Sequence, residues 1–123
     1  MYAAVLPVQI SLPGANTPRT KRIEAIIDSG AGRCLFHANF AEAIGLELKK
    51  GEREILNGIG GQEETWLHDI TLYTFGGPIS IRAGFKENLP IAALLGMNGF
   101  FEYFNVNFDG VAQTCTIDRI RIR

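Results

Sequence analysis

Short segments in which apolar residues alternate with polar ones recur along most of this chain. Val8, Ile10 and Leu12 alternate with polar or small residues, and a second apolar run occupies residues 22–27. Alternation with a period of two places every second side chain on one face, as in a half-buried β-strand. The same signal predicts further strands at 33–36, 54–73 (a long hairpin), 79–85, 91–95, 105–108, 114–117 and along the tail to 123.

Only two segments have the residue spacing of a helix. Residues 38–44 place Phe40, Ala41 and Ile44 on one face, and Gly45 follows as a residue that ends helices. Residues 97–103 are predicted to form a second short helix. Many short strands with one or two short helices are typical of an all-β protein, either a small closed barrel or a folded sheet. The length of 123 residues, without a repeat or a linker, predicts one domain over 1–123.

Composition and charge exclude several classes of partner. Apolar residues make up 46% of the chain, charged residues 20%, and the net charge is −1, so neither nucleic acid nor an anionic membrane is expected as a partner. No apolar run approaches the length of a membrane span, and the N-terminus lacks the basic and apolar regions of a secretory signal. We therefore expect a cytoplasmic protein with two free thiols, Cys34 and Cys115. Together with His37 and His68 these thiols have no metal-ligand spacing, so no metal or cofactor is expected.

The strongest candidate for chemistry is Asp28, which directly follows the apolar run 22–27. Ser29, Gly30, Ala31 and Gly32 come next, and such small residues allow a sharp turn and a close approach of another segment. A carboxylate on a tight turn at the end of a strand is a candidate acid or base. The alternative is an ordinary Asx turn, because Asp, Ser and Gly favour turns for local reasons.

Two later segments bear on this choice. The tip of the long hairpin reads Gly58-Ile59-Gly60-Gly61, and residues 93–96 read Ala-Leu-Leu-Gly. The glycine-rich tip lacks the Lys-Ser/Thr that completes a phosphate-binding loop, so in isolation it would be a plain hairpin turn.

The order of these three segments resembles the retropepsin-like aspartic proteases, which comprise retroviral proteases and their cellular and bacterial relatives. In that family an Asp-Thr/Ser-Gly-Ala turn carries the catalytic carboxylate, a glycine-rich hairpin tip forms a flap over the substrate, and an apolar-apolar-Gly segment crosses beside the turn. The resemblance runs from about Arg22 to Ile117, and the predicted helix at 38–44 is similar to the cellular and bacterial branch.

The resemblance implies an aspartic endopeptidase that cuts an extended peptide or an unfolded protein. Because Asp28 is the one aspartate in the required context, activity implies a homodimer with one Asp28 from each subunit. Ser29 is expected to brace the two catalytic turns, and Gly30 to offer its carbonyl to the substrate. The expected substrate-binding residues are Ala31, Gly32, Arg33, Gly58, Ile59, Gly60, Gly61, Ile91, Ala92 and Leu94.

The chain departs from the family pattern at two positions. Met97 stands where many members have Arg, and Gly32 stands where retroviral members have the acidic partner of that Arg. Arg33, the next residue, is expected to place a positive charge near the substrate instead. The alternative function is a non-catalytic dimeric peptide-binding module on the same fold. A nucleophilic Cys34 and an oligonucleotide-binding barrel are both disfavoured, the first by the absence of a motif and the second by the charge.

Overall fold

The protein is mostly β-structure, as the alternation predicts, and the all-β class is confirmed. The computed structural model describes residues 4–58, 61–109, 111 and 114–120. Over these residues the elements are β1 (Ala4–Ser11), β2 (Ile23–Ile27), β3 (Leu35–His37), α1 (Asn39–Ala43), a 3-10 turn (Leu48–Lys50), β4 (Glu52–Gly58), β5 (Gly61–Thr74), β6 (Gly77–Lys86), β7 (Ala93–Leu95), β8 (Phe104–Asp109) and β9 (Thr114–Arg119).

Seven strands form one sheet in the order β1-β2-β7-β3-β6-β5-β4. The pairs β2–β7 and β3–β6 are parallel, and the other pairs in this sheet are antiparallel. Strand β1 also pairs with β5 through residues 9–11, which brings the two sides of the sheet together. Strands β8 and β9 form a separate hairpin.

The core is formed by the strand faces that the alternation predicts to be apolar. Val8 and Ile10 of β1 are buried, and so are Ile70 and Leu72 of β5. Four phenylalanines, Phe36, Phe85, Phe100 and Phe104, are fully buried. Two pairs of these rings stack, with centroids 5.9 Å apart for Phe36 and Phe85 and 4.7 Å apart for Phe100 and Phe104. Burial of each such side chain contributes about 1.5–3 kcal/mol to stability.

The first predicted helix is confirmed, with α1 inside the predicted range 38–44. Ala41 within the helix and Ile44 directly after it are buried. Gly45 ends the helix with a φ of +77°, which glycine adopts without strain. Leu46, Glu47 and Leu48 alternate between apolar and polar, but they do not form a strand. After the turn at Gly45 the chain forms the 3-10 turn Leu48–Lys50, where the Gly51 N–H donates to the Leu48 carbonyl.

The second predicted helix, at 97–103, is wrong. Gly99 has a φ of +110°, which lies outside the helical region, and residues around it form turns. The Asn98 N–H donates to the Gly32 carbonyl at 3.1 Å, so a contact distant in sequence takes a donor that a helix would have used.

Strand β7 and the loop between β8 and β9 differ from prediction. Strand β7 begins at Ala93 rather than at 91, because Ile91 and Ala92 lie in a bend after Pro90, which has no N–H to donate to a ladder. Only Ala93 and Leu95 of β7 are buried, and Leu94 is half-buried. The predicted hairpin at 105–117 is confirmed, but Asp109 pairs with Thr114, so its loop is longer than a two-residue turn.

Candidate active site

The end of strand β2 presents the Asp28 side chain to solvent. Ile23, Ala25 and Ile27 are buried and fix the strand in the core, whereas Asp28 is exposed. The Asp28 N–H donates to the Leu95 carbonyl at 3.0 Å, and the Asp28 Oδ1 accepts the Gly30 N–H at 2.8 Å. The local Asx turn is therefore present, and it holds the carboxylate in one orientation.

Strand β7 and the residues after it cross directly beside this turn. Ile27 pairs with Leu95 in the parallel ladder, and the Met97 N–H donates to the Ala31 carbonyl at 2.8 Å. A Cβ atom on Gly96 would lie 2.6 Å from the carbonyl oxygens of both Ala31 and Arg33. Glycine is the residue that permits this approach, so the apolar-apolar-Gly segment packs against the Asp28 turn as the sequence predicts.

Asp28 opens into a cavity of about 490 Å³. Four predicted substrate-binding residues line this cavity with Asp28: Ala31, Gly32, Arg33 and Leu94. Three further residues, which the sequence analysis did not single out, complete the lining: Leu35, Glu54 and Asn98. The cavity thus combines an apolar wall with a polar rim next to an exposed carboxylate.

The other predicted site residues that the structure describes do not line this cavity. Ser29 and Gly30 are exposed in the turn itself, beside Asp28. Ile91 and Ala92 are half-buried in the bend before β7 and do not line the cavity. Gly58 and Gly61 pair at the end of the β4–β5 hairpin. The prediction for Ile59 and Gly60 at its tip lies outside the described residues.

The two faces of the β4–β5 hairpin carry different ion pairs. Glu54 lies opposite Thr65 in the ladder, and Glu63 is two residues before Thr65 on the same face. This is the inner face, because Thr65 is buried and the Arg33 Nη2 lies 2.9 Å from the Glu54 Oε2. The Lys86 Nζ lies 2.8 Å from the Glu63 Oε2. Both inner carboxylates are therefore paired with cations that belong to other parts of the fold.

Arg53 and Glu64 lie on the opposite, outer face, where both side chains are exposed and pair with each other within the hairpin. The Arg53 guanidinium donates two hydrogen bonds to the Glu64 carboxylate, at 2.9 and 3.1 Å. These hydrogen bonds lower the pKa of Glu64 and raise that of Arg53.

Arg33 brings its positive charge to the cavity, where it is paired with Glu54. The two residues are 21 positions apart, and no local pattern joins the turn after β2 to strand β4. Glu54 occupies one polar position in a strand that also contains Glu52, so its sequence context carries no signal for the site. The pairing depends on the way the hairpin folds over the turn.

Neither cysteine has the surroundings of a nucleophile. Cys34 is fully buried, and burial raises the pKa of its thiol above the ordinary value of 9.0. Burial also raises the pKa of Cys115. The His68 Nε2 lies 2.7 Å from the Leu48 carbonyl oxygen, in a structural contact at the base of the hairpin.

No group of His, Cys, Asp and Glu side chains in the described part of the chain is arranged to hold a metal ion. Among the same residues, no helix has the length and apolar character required to cross a membrane.

A larger cavity, of about 590 Å³, lies away from Asp28. It surrounds Arg19, whose guanidinium stacks 3.7 Å above the Tyr73 ring. Its described lining contains two arginines and Tyr73 but no acidic, histidine or cysteine side chain, so it offers no carboxylate. The smaller cavity at Asp28 is therefore the candidate active site.

Solved structures of proteases share this fold. A retropepsin-like aspartic protease from Rickettsia conorii matches with a TM-score of 0.68 and 17% identity, over 94% of this chain and 88% of that one. The retroviral protease-like domain of Ddi1 from Leishmania major matches with a TM-score of 0.62 and 20% identity, over 95% and 90%. The EIAV protease in complex with the inhibitor HBY-793 matches with a TM-score of 0.56 and 19% identity, over 77% and 82%.

The sequence identities to these structures are too low to assign the chain to a family, but a family model does assign it. No curated protein sequence matches the chain. The model described as aspartyl protease matches residues 8–99, which include the Asp28 turn, the β4–β5 hairpin and strand β7. By this match the chain belongs to the aspartyl protease family, and its fold is that of the retropepsin-like members.

Proposed function

We propose that this protein is an aspartic endopeptidase that works as a homodimer, with one Asp28 carboxylate from each subunit. The observation that carries the proposal is the exposed Asp28 at the end of β2, held by β7 and opening into a cavity under the β4–β5 hairpin. In this proposal residues 1–123 form one domain, which is half of the enzyme. No metal or cofactor takes part.

The need for a second subunit follows from the position of the other carboxylates. Glu54 lines the same cavity, but it is paired with Arg33. Asp69 is exposed on β5 and paired with Arg82, and Asp118 lies on the separate β8–β9 hairpin. None of the other described aspartates lines the Asp28 cavity. A second Asp28 related by a two-fold axis supplies the missing group.

The chemistry uses one proton shared between the two Asp28 side chains. Carboxylates about 3 Å apart cannot both ionise, so one is a base and the other an acid at the same pH. The ionised Asp28 takes a proton from a water molecule as its oxygen attacks the peptide carbonyl. The protonated Asp28 stabilises the developing oxyanion, and a proton is then passed to the departing amine as the C–N bond breaks.

The remaining site residues would bind and orient the substrate. Ser29 would brace the two turns across the two-fold axis through its hydroxyl, and Gly30 would offer its carbonyl to the peptide. The flap tip, Gly58 to Gly61, would bond the peptide backbone as an added strand. Leu94 would form an apolar pocket wall, with Ala31, Gly32 and Arg33 lining the floor, and Ile91 and Ala92 would support this wall from the bend before β7 without lining the cavity.

Cleavage of a peptide library, mapped by mass spectrometry between about pH 3 and pH 8, tests this function. The wild type should cut within apolar segments, and Asp28→Asn should cut nothing because the shared proton and the base are lost. Cuts that persist in Asp28→Asn would show a different nucleophile or a contaminant, and would refute the proposal.

The alternative is a dimeric module that holds a peptide without cutting it. Met97 favours it, because this side chain is 49% exposed at the position where many relatives have an arginine. A folded dimer that binds library peptides but cuts none of them would support this alternative. A strict monomer at high concentration in light scattering would contradict both functions.

A further inference from the structure

The Arg33–Glu54 pair is unusual among the ion pairs of the described residues. Its two side chains are 28% and 31% exposed, and no other described pair has both members below one third. The pair joins the segment after the Asp28 turn to the inner face of the flap hairpin, and both residues line the Asp28 cavity. A peptide side chain that enters this cavity must therefore meet the pair.

The contact between Arg33 and Glu54 leaves part of the hydrogen-bonding capacity of both side chains unused. Within the described structure, Arg33 and Glu54 share one hydrogen bond, from Nη2 to Oε2 at 2.9 Å. A guanidinium has five N–H donors and a carboxylate has two oxygens, so further donors on Arg33 and the Oε1 of Glu54 are not used by this contact. The pocket thus offers a donor beside an acceptor.

The charges in the cavity disfavour a charged guest. A guest carboxylate would face Asp28 and Glu54, and it would reach Arg33 only in competition with Glu54. A guest ammonium would compete with Arg33 for Glu54, and removing its water next to Leu35 and Leu94 is costly. A neutral amide accepts from Arg33 and donates to Glu54 at the same time, and it leaves the ion pair intact.

From this arrangement, and resting on the proposed protease function, we infer that Arg33 and Glu54 are specificity-determining residues that select a glutamine or asparagine side chain. The methylene groups of the guest pack on Ala31, Leu35 and Leu94, and its amide meets the pair. Because the dimer has two-fold symmetry, the preference recurs at equivalent positions on both sides of the cut bond.

Matched peptides that differ only at the selected position test this inference. In the wild type, kcat/KM should be about tenfold higher for Gln than for Leu, Glu or Lys, as expected for one or two hydrogen bonds to charged groups. The variant Glu54→Gln removes the carboxylate but keeps the shape, so Arg33 loses its charge partner and the preference should move from Gln to Glu. The double variant Arg33→Met/Glu54→Leu should prefer Leu.

The variant Glu64→Gln is the control, because it makes the same substitution on the exposed outer face of the hairpin. It should keep the wild-type preference. Equal rates for Gln and Leu in the wild type, or an unchanged preference in Glu54→Gln, would overturn the inference. Binding of the same peptides to Asp28→Asn, measured by calorimetry, separates the two claims. Tighter binding of the Gln peptide without any turnover by the wild type would sustain the selectivity and refute the protease.

Discussion

Gly96 decides how closely two segments of the site approach each other. The position has no space for a methyl group, because a Cβ would lie 2.6 Å from two backbone carbonyl oxygens, those of Ala31 and Arg33. Backbone atoms cannot turn aside as a flexible side chain can, so an added methyl group must push β7 away from the Asp28 turn. Gly32, on the same turn, has open space around its Cβ position.

We expect Gly96→Ala to lower the free energy of unfolding by about 3 kcal/mol, through overpacking against fixed backbone. Gly32→Ala is the control and should change it by less than about 1 kcal/mol, since its φ is one that other residues adopt. Urea denaturation followed by circular dichroism measures both. Equal effects of the two substitutions would show that the close approach is not rigid.

The buried thiol of Cys34 should give stability a dependence on alkaline pH. Because burial raises its pKa, the native state keeps the proton at pH values where the unfolded chain loses it. The contribution to stability is complete below about pH 9 and is lost as the pH rises further. The free energy of unfolding should fall more steeply above about pH 9 in the wild type than in Cys34→Ala. Parallel curves for these two proteins would contradict the assignment, and Cys115→Ala, at a less buried thiol, should change the slope less.

At the scale of elements, ion pairs on the inner face of the β4–β5 hairpin join it to other parts of the fold, in addition to the ladder between β5 and β6. Its inner carboxylates, Glu54 and Glu63, pair with Arg33 and Lys86, which lie outside the hairpin. The outer pair between Arg53 and Glu64 lies within the hairpin and does not fix it to anything else. The inner pairs should therefore restrain the opening of the hairpin, whereas the outer pair should not.

Glu63→Gln should raise the rate of amide hydrogen exchange in the described part of the hairpin by about threefold, since it weakens one half-exposed ion pair to the body. Lys86 is only 15% exposed, so this ion pair should contribute more to stability than a fully exposed pair. Glu64→Gln at the neighbouring position should leave exchange near the wild-type rate. Similar exchange rates in both variants, measured by mass spectrometry, would contradict the restraint of the hairpin by its inner ion pairs.

At the scale of the whole molecule, the proposed mechanism takes one Asp28 carboxylate from each of two chains. Activity should therefore depend on the square of the fraction of chains that carry Asp28. Mixing one part of wild type with three parts of Asp28→Asn should lower the activity per wild-type chain to about one quarter, because most wild-type chains then have an inactive partner. An activity per wild-type chain that does not change after subunit exchange would mean that one chain holds a complete site.

Much of the fold was predictable because the signals are local. Alternation along Val8 to Ile10 and along Trp66 to Leu72 predicted buried strand faces, and the turn chemistry at Asp28 and Gly45 predicted where elements end. The failures were local patterns overruled by distant partners. The helix predicted at 97–103 did not form, because the backbone of Asn98 pairs with the turn after β2.

The sequence by itself determined the all-β class, the exposed carboxylate at the end of a buried strand, and the order of the turn, the hairpin and the Ala-Leu-Leu-Gly segment. Each of these depends on neighbouring residues, through periodicity and turn preference. The family resemblance implied that the Gly96 segment crosses beside Asp28, but only the tertiary structure decided how closely Gly96 approaches the backbone there and that Glu54 of the hairpin pairs with Arg33. These contacts join segments far apart in the chain, and their partners are set by strand order and register, which no local pattern encodes.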